Sequence, residues 1–154
     1  MTGAILHPAG ITASFWHVGV VVPDLDVGMR ELSQITGASW RPEQERPDGE
    51  RTLRVAFSET LPFVELIQGN TDSVWEIGSG PQLHHLAYWT DDFDGECANL
   101  AALGLDAEHG GRSDWGGNWG YYRLPGSGVR VELCDTKGRD LFLQRWGFPA
   151  WDAL

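Results

Sequence analysis

The chain has 154 residues, 42% of them hydrophobic, with 22 acidic against 11 basic residues and a formal net charge of −11. That length suits one domain with a real core, and that charge repels phosphate backbones and anionic bilayers, so nucleic acid and membranes are excluded as expected partners. The chain shows no signal-peptide pattern and no run of roughly 18 apolar residues, and Cys97 and Cys134 are too far apart in sequence to suggest a motif; free thiols and a cytoplasmic location are expected.

After an N-terminal leader, residues 15–22 are apolar and β-branched and stop at Pro23, which cannot donate to a ladder: the pattern of a strand. Asp24 then caps a helix in which Leu25, Met29, Leu32 and Ile35 recur at helical spacing until Gly37. Strands are expected at about 38–43, 51–58 and 62–68, separated by turns at R-P-D-G-E and near Pro62. The second half repeats this order. It has a strand over 84–90, a helix over 93–103 closed by Gly104, and strands at 105–109, 118–124 and 128–134. The glycines of G-G-R-S-D-W-G-G-N-W-G predict a mobile loop. In the tail, Leu141, Phe142, Arg145 and Trp146 predict a short amphipathic helix broken at Gly147 and Pro149, packed on the sheet's outer surface or on a second subunit.

The two halves also echo each other residue by residue. F-W-H-V-G-V-V-V-P-D-L-D, beginning at Phe15, aligns with L-H-H-L-A-Y-W-T-D-D-F-D, beginning at Leu83, so His17 meets His85 and Asp24 meets Asp92 at a spacing of 68 residues. P-F-V-E-L-I-Q and V-R-V-E-L-C-D align Glu65 with Glu132 at a spacing of 67. An internal duplication is the simplest account. Each half places a histidine in its first strand and a glutamate in its last, so two histidines and two glutamates can converge across a pseudo-twofold axis. Singly, each histidine reads as a core residue. Together with two in-phase carboxylates they suit a divalent cation such as Zn, Ni, Co, Mn or Fe, whose charge the glutamates cancel. His84 aligns with Trp16 and is expected on the opposite face of its strand, as a structural or supporting residue.

On these residues the chain resembles the vicinal oxygen chelate superfamily, which includes glyoxalase I, methylmalonyl-CoA epimerase, extradiol dioxygenases and the bleomycin-binding proteins. The likeness covers about residues 14–136. It implies an α+β fold of two tandem β-α-β-β-β modules, about 14–69 and 82–136, curled into an open half-barrel. A C-terminal extension over 137–154 completes a single domain spanning 1–154. It carries metal-ligand roles to His17, Glu65, His85 and Glu132, a set like that of glyoxalase I and the epimerases. The implied activity is that of an isomerase, epimerase or lyase: vicinal oxygens of a small metabolite chelate the metal, and Glu132, or next Glu65, moves a carbon proton through an enolate or enediolate. Relatives commonly form homodimers.

Departures sharpen the reading. L-P-G-S-G replaces the acidic turn that many relatives carry before the last strand, and the arginines form no cluster that declares a nucleotide or glutathione site. Eight tryptophans are many for so small a chain. Trp89, on the same strand face as His85, together with Trp115, Trp119 and Tyr122 are the candidate substrate contacts, suiting a flat aromatic or polyketide-like ligand. Two alternatives stay open: a metal-free drug-binding protein of the bleomycin-resistance kind, and an extradiol-type dioxygenase.

Overall fold

The computed structural model describes residues 13–78 and 82–154; residues 1–12 of the leader lie outside them. The first half runs β1 (Ala13–Val22), α1 (Leu25–Thr36), β2 (Gln44–Asp48), β3 (Arg51–Phe57) and β4 (Val64–Gln68). The second runs β5 (Gln82–Thr90), α2 (Phe93–Ala102), β6 (His109–Arg112), β7 (Asn118–Arg123) and β8 (Arg130–Asp135), followed by α3 (Arg139–Arg145). All eight strands form one curled sheet, an open half-barrel of order β2-β3-β4-β1-β5-β8-β7-β6. Within each half the first strand pairs parallel with the last, and the halves join through the antiparallel β1–β5 pair, where the pseudo-twofold lies.

The shared acidic residues serve the helices. Asp24 accepts a hydrogen bond from the Val27 amide at 2.9 Å and Asp92 from the Gly95 amide at 3.1 Å, so each caps a helix N-terminus, an interaction typically worth about 1 kcal/mol. Gly37 ends α1 at φ 74°, in the left-handed region where glycine is favoured. Leu25 of α1 packs with Val22, Ala56 and Leu66 on the convex side, and Leu100 of α2 packs with Tyr122 and Leu133 there.

In both halves the second strand starts later than expected. Residues 38–43 contribute only an isolated Trp40–Ser58 bridge before β2, and 105–108 precede β6. Their apolar residues serve the helices instead: the Trp40 indole donates to the Met29 carbonyl and to Ser33, and Leu105 packs beneath α2. The R-P-D part of the expected turn lies in β2, an edge strand, where Pro47 is tolerated. The expected loop over 110–120 is largely the β6–β7 hairpin. Its turn is closed by the Ser113 amide and hydroxyl, both donating to Gly117. A Cβ on Gly117 or Gly138 would lie 2.0 or 2.2 Å from the Trp115 ring, so these glycines seat an indole.

The tail also departs from expectation. Phe142, Leu143, Trp146 and Phe148 pack with Trp16, Phe57 and Trp89 in the cluster on the concave side, not on the outer surface. Trp16 is the hub, with Phe63, Phe148 and Trp151 at 5.1, 5.3 and 5.8 Å between ring centroids. Arg41 lies over Phe148 and Arg139 over Trp151, at 3.9 and 5.0 Å. These aromatic residues form one end wall of the half-barrel. Among the described residues no helix is long and apolar enough to cross a membrane.

Candidate metal centre

Register explains how the paired histidines reach one point. Phe15 pairs with Tyr88 and Val18 with Leu86, so Trp16 and His17 together face the single residue Ala87. Further along, Gly19 pairs with His85 and Val20 with Leu83, leaving His84 as the extra residue on β5. These are two β-bulges related by the duplication, and a bulge breaks the two-residue alternation of a strand. Hence Trp16 and His17 are both buried, as are His84 and His85. His84 does not face the opposite side: its ring packs against Trp75, Tyr121 and His85 on the concave side, where the bulge turns it.

The four expected side chains converge. The His17 and His85 Nε2 atoms are 3.0 Å apart. Glu65 Oε2 lies 3.2 Å from the first and 3.3 Å from the second, and Glu132 Oε2 lies 3.6 and 3.3 Å from them. All four come from one chain, so the cluster needs no second subunit. Metal–ligand bonds of about 2.0–2.2 Å to nitrogen and oxygen place neighbouring ligand atoms about 3 Å apart, close to the spacing seen. His17, His85 and Glu132 offer ligand atoms all within 4.8 Å of one another.

The electrostatics call for a cation at that point. Burial disfavours a charged His85, but the charge of Glu132 and hydrogen bonds to both glutamates outweigh it and push the imidazole up to about 9. Burial likewise favours a neutral Glu65, yet His17 and His85 hold its carboxyl well below the usual range. The fold adds a cradle that the sequence reading missed. A Cβ on Gly19 would lie 2.0 Å from Cε1 of His85, so the ring crosses β1 only because that residue is glycine. The G of H-V-G in the first repeat, against A of H-L-A in the second, was the available signal. Donor set, spacing and cradle all fit a divalent ion.

The cluster opens on a cavity of about 290 Å³, at the small end of small-molecule sites. Trp89, Trp115 and Trp119 line it, with Trp75, Tyr121 and Arg46. Tyr122 does not: the next residue along β7 from Tyr121, it points to the convex side, where its hydroxyl meets Cys97 Sγ at 2.9 Å. Alternation along the strand therefore assigns the cavity to Tyr121 and removes Tyr122 as a substrate contact. The Tyr121 hydroxyl accepts a hydrogen bond from the Trp75 indole, and burial, then the glutamates, push its pKa well up, so it stays a phenol. His109 is wedged between Trp75 and Trp119.

Comparison with known proteins agrees with this architecture. The solved structures it resembles include a methylmalonyl-CoA epimerase from Mycobacterium tuberculosis, 24% identical over 88% of this chain and 92% of that one, with a TM-score of 0.63. Another is a variant of the Streptomyces coelicolor methylmalonyl-CoA epimerase in complex with 2-nitronate-propionyl-CoA, 21% identical over 79% and 95%, TM-score 0.62. A hypothetical protein from Bacillus halodurans C-125 is 16% identical over 80% and 94%, TM-score 0.64. At such identities the likeness is one of fold. No curated protein sequence matches significantly. The family model described as the glyoxalase/bleomycin resistance protein/dioxygenase superfamily matches residues 16–122, from the first bulge to the end of the β7 core, and the chain belongs to that superfamily.

Proposed function

We propose that the whole chain acts as one domain, a divalent-metal-dependent isomerase, epimerase or lyase, with His17, Glu65, His85 and Glu132 as ligands. The convergence of four donor atoms at 3.0–3.6 Å in a buried pocket is the observation that carries this reading. A divalent cation bound there supplies Lewis acidity toward substrate oxygens. The fourth protein donor favours such chemistry over oxygen activation. Glu132 takes a proton from the carbon beside those oxygens and returns it to the same or the adjacent carbon, and Glu65 is the alternative base. Burial favours a neutral Glu65, but His17 and His85 hold it in its ionised, weakly basic form. Burial, then the charge of Glu132, pushes the Cys134 thiol well up, so it stays protonated beside that carboxylate.

The walls suit a small, flat metabolite, aromatic or polyketide-like. Trp89, Trp115 and Trp119 give apolar faces, and Arg46 adds a cation that favours a substrate with an acidic group. The free thiols of Cys97 and Cys134 accord with the reducing cytoplasm proposed for it. Metal-loaded protein incubated in D2O with a panel of aromatic 2-oxo and 2-hydroxy acids should exchange the activated carbon proton of its best ligand, as read by NMR. Glu132→Gln should slow that exchange by roughly 10²–10⁴-fold. Tight binding without any exchange in the wild type would point instead to a sequestering protein.

A further inference from the structure

The two metal-facing histidines are held by different means. His17 is buried, and its Nδ1 has no hydrogen-bond partner among the described residues. His85 Nδ1 lies 2.9 Å from His84 Nδ1, and His84 Nε2 lies 2.7 Å from the Val74 carbonyl oxygen. A carbonyl only accepts, so His84 must carry a proton on Nε2. A neutral His84 then has a bare Nδ1, which accepts from the Nδ1–H of His85. That leaves the Nε2 lone pair of His85 turned toward His17, Glu65 and Glu132.

We infer that His84 is a positioning residue that, anchored on the Val74 carbonyl, fixes the tautomer and direction of His85, so that the second half supplies an oriented imidazole and the first does not. This inference rests on the metal-site reading. The surroundings of His84 support it. Its own carbonyl accepts from Arg130 Nη1 at 3.2 Å, which pins the backbone at the bulge. Tyr121 closes over both rings, at 5.2 Å from His84 and 4.9 Å from His85. Trp16 occupies the matching place in the first half and offers His17 only a ring edge, at 5.7 Å and 81°.

Nitrogen-15 NMR of the imidazoles, together with Zn²⁺ affinity by chelator competition, tests this. In the Zn²⁺-loaded wild type, the His84 proton should sit on Nε2 and that of His85 on Nδ1. His84→Phe keeps the aromatic packing but removes the acceptor, and should weaken Zn²⁺ binding by roughly 10–100-fold. His84→Asn places an acceptor near the old Nδ1 and should recover most of the loss, whereas a merely structural role would leave Phe the milder change. A His84 proton on Nδ1, or Phe and Asn variants that bind alike, overturns the inference. If the wild type binds no Zn²⁺ the metal reading fails, and the position of the His84 proton alone then decides whether His84 orients His85.

Discussion

The two halves of the sheet repeat one plan, and their differences show which residues the plan needs for folding and which the site needs for chemistry. Asp24 and Asp92 do the same work as helix caps, and the bulges at Trp16-His17 and His84-His85 are counterparts. The histidine supports are not. His85 crosses β1 over Gly19 and leans on His84, whereas His17 faces Ala87 across its bulge and is held by the edges of Trp16 and Phe57. The duplicated unit brings two imidazoles to one proposed metal site, and among the described residues only the second has a hydrogen-bonded support at Nδ1.

Substitutions at the paired positions should split the halves. Gly19→Ala puts a methyl where the His85 ring passes, so Zn²⁺ affinity should fall by about 100-fold or more, with about 1–3 kcal/mol of stability lost to overpacking. Competition titration and urea unfolding measure the two effects. Unchanged affinity would mean that the ring does not occupy that cradle. Next in size is the pH response of chelator-treated protein. His85 is raised from an ordinary value of about 6.5 to about 9. The stability it contributes is therefore fully present below about pH 6.5 and lost as the pH rises through about 9. Thermal melts should fall across that window, and saturating Zn²⁺ should flatten the fall by replacing the proton. The smallest effect is expected at the mirrored position: Ala87→Gly should cost about 0.5–1 kcal/mol as a strand glycine while leaving metal affinity untouched.

Much of this was legible in residue order. The repeat of His17 and Glu65 as His85 and Glu132 pointed to the duplicated fold and to four side chains that the sheet brings together, because periodic constraints on a strand are written in adjacent residues. His84 was misplaced because strict alternation assumes an unbroken ladder, and a bulge is a property of the pair β1–β5 that neither strand displays alone. Trp40 and Leu105 suggested strands too early, since apolar residues that pack beneath a helix look like those of a strand. Gly117 was read only as part of a mobile loop, because its service as a seat for the Trp115 ring depends on how the β6–β7 turn closes. The tail reads as amphipathic, but its sequence does not say which side of the sheet it covers.

Metal content by mass spectrometry tests the central claim most directly. Wild-type protein purified without chelator and offered Zn, Ni, Co, Mn or Fe should retain one ion per chain, and His17→Ala and His85→Ala should each lose it while keeping a folded circular-dichroism spectrum. A wild type that retains none of these ions, or alanine variants that retain as much as the wild type, would contradict the account.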